Sequence, residues 1–191
     1  MQSVKESNRD RLTEFLKSNG KVDFYRAEAL MDLADNTDFL VAPASTRYHG
    51  NYPGGLFDHS LEVAKLLVSW TDLGLITWKR KRSPVLVGLL HDLTKVGKYT
   101  PDPNSEGPDG VPSYHYTPIS QRSDFGGHGS DSCIKALQLM SLTEEELSCI
   151  RWHMGAYEKD SWELLDAAVR KFPSVLWVHH ADMVASKCIG V

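Results

Sequence analysis

Val87–Thr100 reads VGLLHDLTKVGKYT and sets an imidazole beside a carboxylate, His91–Asp92, inside an apolar run. Around that pair, Val85, Leu86, Val87, Leu89, Leu90 and Leu93 cover almost every face of a helix predicted over Pro84–Lys95. Bare polar groups on such a surface are costly, so His91 and Asp92 need partners. A metal ion suits both, because neutral imidazole and carboxylate ligate Zn, Mn, Fe and related cations. A core histidine bonded to a backbone carbonyl, with Asp92 exposed at the helix end, fits the same pattern. Taken alone, a His-Asp pair favours that simpler reading.

The run sits in a chain of 191 residues, enough for one domain with a real core. Apolar residues make up 41% and charged residues 24%, ordinary values that exclude disorder as a whole-chain description. A net charge of -4 leaves no basic footprint, so duplex nucleic acid is not an expected partner. Small anions stay open as ligands, since a bound cation reverses the local field. Cys133, Cys149 and Cys188 are odd in number and lack CxxC spacing, which predicts buried thiols in a reducing compartment. The N-terminus is polar and no apolar run approaches the ~20 residues of a membrane helix, so a cytoplasmic chain without a membrane partner is expected.

Helical spacing recurs along most of the sequence. It predicts helices over Asn8–Asn19, closed by Gly20, and over about Phe24–Ala34. A Pro- and Gly-bearing stretch then leads into a helix through Leu61, Val63, Ala64, Leu67 and Trp70. The basic run Lys79–Arg82 reads as a solvated turn before Ser83–Pro84, an N-cap and first-turn pair. Between Gly97 and Gly126 the periodicity stops. There Pro108-Asp109-Gly110 signals a turn and VPSYHY a strand, which predicts a small β-hairpin near 99–118 with the form of a lid. Helices resume over about Gly129–Met140, after a capping box of Thr143 and Glu146, over Trp162–Lys171 and over Pro173–Ile189. The fold class is therefore all-α, with a hairpin inserted; Trp152 and Trp177 read as core.

His91–Asp92 does not stand alone. His59 in GGLFDHSLEV, His128 in FGGHGS, His153 in IRWHMG and Asp182 in VHHADM each fall within or at the start of a different helical segment. Helical bundles build metal sites in their cores in this way. The order of these residues, with the words PGGL before His59, LLHDLTK, GHGS and RWHMG, resembles the HD-domain metal-dependent phosphohydrolase superfamily. The form is the two-metal one, H…HD…H…H…D, known also from HD-GYP cyclic-dinucleotide phosphodiesterases and similar to small bacterial and phage HD hydrolases. The match spans about residues 47–186. Thr94 stands where the family word LLHDxGK has glycine, and Met154 stands where HD-GYP enzymes carry a second histidine after the His153 position. The second departure leaves a one-metal centre open, with His128 and His153 acting on substrate.

The resemblance implies a single HD-domain bundle over 1–191, with N-terminal helices in 1–40 and a metal-binding core in 47–186. It implies that His59, His91, Asp92 and Asp182 hold one divalent metal, and that Asp92, His128 and His153 hold a second with Asp92 shared. Imidazole-rich ligation favours Mn, Fe, Co, Ni or Zn over Mg, with one or two ions per chain. Two cations about 3.5–4 Å apart acidify a shared water and clamp a phosphoryl group. Asp92 and Lys95 would be the catalytic residues. Lys95, four residues after His91 on the same helical face, matches the phosphate-contacting lysine of the family word; without that context it is a solvated lysine.

A small-molecule nucleotide is the substrate so implied, cleaved at a phosphate ester or anhydride. Cyclic or oligonucleotide phosphodiester cleavage, di-iron oxygenation and a non-enzymatic sensing module are the alternatives. HD proteins of this size often pair, so a homo-oligomer fits as well. Further substrate-binding candidates come from position: Arg47 and His49 in TRYHGN, His115 between Tyr114 and Tyr116 as a base-stacking group, and Arg122 in SQRSDF. A loop salt bridge, strand packing and solvent contact are the plain readings of these residues. His179, three residues before Asp182, is a candidate to support a metal ligand, and His180 is a packed or exposed helix residue.

Overall fold

Two N-terminal helices, α1 (Gln2–Asn19) and α2 (Phe24–Asn36), bring Leu12, Phe15, Leu30 and Leu33 to the core. Helices α3 (Gly55–Asp72), α4 (Ser83–Leu90), α5 (His128–Leu139), α6 (Glu144–Trp152), α7 (Trp162–Lys171) and α8 (Ser174–Met183) follow. The computed structural model describes residues 1–106, 111–157 and 162–191. Among them the fold is mostly helical, with a single two-stranded antiparallel sheet. Strands β1 (Tyr99–Glu106) and β2 (Pro112–Tyr116) pair Tyr99 with Tyr116 and Thr100 with His115. The predicted turn at Pro108–Gly110 lies in 107–110, outside the described residues. No described helix is long and apolar enough to cross a membrane.

Close approach of backbones decides how the helices stack. Helix α4 is buried along its whole length, from Ser83 to Leu90. It packs on α3 at Gly88, where an added Cβ would lie 2.3 Å from the Cα of Ala64. Helix α5 meets α6 in the same manner at Gly129, where a Cβ would lie 2.0 Å from the Arg151 carbonyl oxygen. Only a residue without a side chain fits at either contact. One contact draws together the helices that carry His59 and His91, the other those that carry His128 and His153.

Buried carboxylates fasten these pairs to each other. Glu146 accepts from the Thr143 backbone N–H at 2.7 Å and from Ser83 Oγ at 2.9 Å, so the capping box of α6 also holds the start of α4. Glu145 accepts from the Lys79 N–H at 2.9 Å and from Ser174 Oγ at 2.9 Å, which adds the start of α8. Such buried acceptors are tolerated because their lone pairs are filled.

Several boundaries differ from the sequence expectation, each for a local reason. Helix α1 begins at Gln2 rather than Asn8, its first turn supported by Gln2 Nε2 donating to Glu6 at 2.8 Å. Ser83 is a helical residue rather than the N-cap, because its hydroxyl is engaged by Glu146. The helix predicted to run to Lys95 stops at Leu90. Asp92 (φ -108°, ψ 20°) leaves helical geometry, and Leu93–Lys95 forms a 3₁₀ turn. There the Thr94 N–H turns to Ser132 Oγ on α5, at 3.1 Å, in place of a helical carbonyl. At the other end, α8 continues as a π-helical turn, Val184–Ile189.

Because the Gly88–Ala64 contact leaves no room for a methyl group, Gly88→Ala is expected to lower the free energy of unfolding by about 1–3 kcal/mol, the usual cost of overpacking. Urea unfolding of the two proteins measures the difference, and an unchanged midpoint would remove the constraint assigned to this contact.

Candidate metal centre

Six side chains from five segments converge under the hairpin: His59 from α3, His91 and Asp92 from the end of α4, His128 from the first turn of α5, His153 from the end of α6 and Asp182 from α8. His59, His91 and His153 are 0% exposed. Their ligand atoms gather in two groups, His59–His91–Asp182 and Asp92–His128–His153, with the atoms of each group within 4.8 Å of one another.

Backbone carbonyls aim the rings. His59 Nδ1 donates to the Val191 oxygen at 3.0 Å, His91 Nδ1 to the Gly88 oxygen at 2.8 Å and His153 Nδ1 to the Ile150 oxygen at 2.7 Å. A backbone oxygen can only accept, so each Nδ1 carries a proton, and in the neutral ring it is Nε2 that offers a lone pair to the centre. The carbonyl bond expected of an ordinary core histidine is thus present at His91, and it is what directs the other nitrogen inward. His179, half-buried, donates from Nδ1 to the His153 carbonyl oxygen at 2.7 Å and so steadies that ligand's backbone. His180 is exposed and bonds the Leu176 carbonyl.

Asp92 lies between the two groups. Its Oδ1 is 2.7 Å from His128 Nε2 and 3.6 Å from His153 Nε2, while its Oδ2 is 3.6 Å from Nε2 of both His59 and His91. Lys95 Nζ is 2.7 Å from the same Oδ2. With α4 ended at Leu90, Lys95 is placed by the 3₁₀ turn, and it is buried rather than solvated. Burial pushes the Asp92 carboxyl up, but Lys95, His91 and His128 together hold it well below the usual carboxylate range. Asp182 is lowered as well, its burial outweighed by the imidazoles of His59, His91 and His153. Burial takes His91 down to about 3, against the attraction of Asp92, and also lowers His128. Ionised carboxylates beside neutral imidazoles at His91 and His128 are the protonation states that metal ligands require, whereas at His153 burial is outweighed by Asp92 and Asp182, which raise its pKa.

The donor set fits a cation. His59 Nε2 and His91 Nε2, both lone-pair acceptors in this tautomer, are 3.1 Å apart, and Asp182 Oδ1 is 3.1 Å from His59 Nε2. His153 Nε2 is buried without a hydrogen-bond partner. Buried acceptors that face one another repel unless a positive charge sits among them. Each group could hold one ion.

A cavity of about 380 Å³ opens beside the centre and is lined by Asp92, His128 and Asp182. His49 and Lys95 also line it, as do Tyr116, Met154 and His179. The His49 ring lies 5.3 Å from that of His59, and burial lowers its pKa to about 4. Arg47 is exposed in its loop and His115 exposed on β2, and neither lines the cavity. Arg122 pairs with Asp124 at 3.2 Å and lines a neighbouring cavity instead. Tyr114 is half-buried and outside the wall. Sequence reasoning missed Tyr48, Lys98, Tyr99, Tyr157 and Lys187, all of which line the metal cavity. The spacing of Lys98 from Lys95, three residues along a tight turn, was the available signal for one of them. Trp152 is buried as expected, and Trp177 is partly buried against the core.

Elemental analysis after loading with cobalt is expected to find two metals per chain, one after His153→Ala, and neither after Asp92→Ala, because Asp92 alone faces both groups. Two metals retained in Asp92→Ala would refute the shared role. Comparison with family models, with curated proteins and with solved structures found no match, so the chemistry of this centre is read from its own geometry.

Proposed function

We propose that this chain is an HD-type metal-dependent phosphohydrolase, acting on a phosphate ester or anhydride of a nucleotide or similar small molecule. The observation that carries the reading is Asp92, whose two oxygens face two histidine groups at the floor of a cavity that also holds Lys95. His59, His91 and Asp182 would hold one divalent cation and His128 and His153 the other, with Asp92 between them. When bound, such cations supply an acidified water and withdraw charge from a phosphoryl oxygen. Imidazole-rich ligation favours Mn, Fe, Co, Ni or Zn in that role.

The chain's own residues provide positioning and charge. Lys95 is buried on a 3₁₀ turn whose backbone is pinned by Ser132, so its ammonium is held where a phosphoryl group would meet it. Fixed cations of this kind stabilise charge that develops in the transition state without reorganising. The backbone oxygens of Val191, Gly88 and Ile150 hold three imidazoles with Nδ1 protonated, the tautomer in which Nε2 can ligate. Tyr48, Tyr99, Tyr116 and Tyr157 give the walls aromatic surface on which a base can stack. In the same walls, three lysines, Lys95, Lys98 and Lys187, stand against two aspartates. That balance favours an anionic substrate, and with it phosphate chemistry over the di-iron oxygenase.

Hydrolysis of a panel of nucleoside mono-, di- and triphosphates, cyclic nucleotides and short oligonucleotides by manganese-, cobalt- and zinc-loaded protein tests the reading. Wild type is expected to release phosphate or nucleotide from at least one of them. Lys95→Ala should lower kcat/KM by about 10²–10³, the loss typical of one transition-state charge contact, while keeping its metal. Absence of any product from fully loaded wild type would refute the hydrolase, and iron-dependent oxygen uptake would replace it with the oxygenase.

A further inference from the structure

Lys98 is a second cation in the wall of the metal cavity, and it is built differently from Lys95. Its backbone is fixed on both sides, the N–H donating to the Lys95 carbonyl at 3.1 Å and the carbonyl accepting from the Thr117 N–H at 3.0 Å. The turn that carries it is clamped further by Gly97 N–H donating to Asp38 at 3.0 Å and by Lys135 Nζ donating to the Val96 carbonyl at 2.8 Å. Yet the Lys98 side chain, only partly exposed, makes no hydrogen bond or ion pair among the described residues. Burial opposes its charge, with Asp124 and Asp92 attracting it from a distance and Arg122 and Lys95 repelling it. Lys95 has Asp92, Arg122 has Asp124, and Lys98 has no such partner among the described residues.

An unpaired, partly desolvated ammonium on a rigid backbone gains more from an incoming anion than a solvated lysine does. Lys98 lines both the metal cavity and the neighbouring cavity of about 390 Å³, so it stands to the side of the metal centre rather than over it. A phosphoryl group engaged by Lys95 and the centre would leave Lys98 free for the next anionic group of the same molecule.

We infer that Lys98 forms a second phosphate subsite, so that the substrate of this centre carries at least two phosphates in a chain, as a nucleoside di- or triphosphate does. The inference rests on the phosphohydrolase reading above and narrows it, setting a phosphoanhydride-bearing substrate ahead of a cyclic phosphodiester.

Calorimetric titration of cobalt-loaded full-length chain, freed of unbound metal, with inorganic orthophosphate and with pyrophosphate separates the possibilities without needing turnover. Wild type is expected to bind pyrophosphate roughly ten-fold more tightly than orthophosphate, the order of one charge-assisted contact. Lys98→Met should lose most of that ratio while its metal content and its orthophosphate affinity stay within about two-fold, and Lys98→Arg should restore the ratio. A Lys98→Met protein that keeps the ratio, or that weakens both anions equally, overturns the subsite. Wild type that binds both anions alike also overturns it while leaving the hydrolase reading standing. Wild type that is fully loaded yet binds neither anion removes the hydrolase reading itself, and the subsite with it.

Discussion

A single buried carboxylate, Asp92, sets the terms for the rest of this molecule. It is 2% exposed and has imidazoles on both sides, His59 and His91 against one oxygen, His128 and His153 against the other. An ionised group in such a place is costly unless every neighbour is arranged to receive it. The arrangement reaches far into the chain. Four helix ends or first turns must arrive within a few ångströms of one point, and two of the helix contacts that bring them there admit only glycine, at Gly88 and Gly129. The glycines also divide the labour: one joins the helices that hold the first histidine pair, the other those that hold the second.

The break after Leu90 serves the same purpose. Adjacent residues on a continuous helix point about 100° apart, and both would stay on the surface of one cylinder. By leaving helical geometry at Asp92, the chain lets His91 stay with His59 and Asp182 while Asp92 faces His128 and His153 as well. The 3₁₀ turn that follows then brings Lys95 back onto Asp92, three residues away, at 2.7 Å.

How much of this the amino-acid sequence carried depends on the distance over which each feature is decided. The helices, the Thr143–Glu146 capping box and the hairpin strands follow from local periodicity, capping chemistry and β-branched or aromatic content, and they form close to where those signals stand. The six residues that converge were legible for a related reason: they lie in short words on five helical segments, and their order together with those words matched a known pattern. What was not legible is set by tertiary partners. His59 takes its orientation from the Val191 carbonyl, 132 residues away, and no local signal marks that pairing. Ser83 had the chemistry of an N-cap, yet Glu146, 63 residues on, engages its hydroxyl. Arg47, His115 and Arg122 had suitable chemistry for a phosphate or a base. Loop and strand geometry, and for Arg122 the Asp124 carboxylate, direct them elsewhere.

Rigidity links the fold to the chemistry. The segment from Leu93 to Lys98 carries Lys95 and Lys98, both in the cavity wall, and it is held by three groups: Ser132 and Lys135 on α5, the latter donating to the Val96 carbonyl, and Asp38 after α2. None of these touches the metal cavity, as none lines it. Their effect is to make the turn part of the core, whereas loops of similar length usually gain mobility at the surface. A catalytic lysine on a mobile loop must be ordered each time substrate binds, at a cost of order 1 kcal/mol or more in side-chain and backbone freedom. In the proposed hydrolase, that ordering would be done once, during folding, by contacts that lie outside the cavity. On that proposal the polar groups that fix Leu93–Lys98 would support the active turn, and the same logic accounts for the backbone oxygens that hold the rings of His59, His91 and His153 with Nε2 toward the centre.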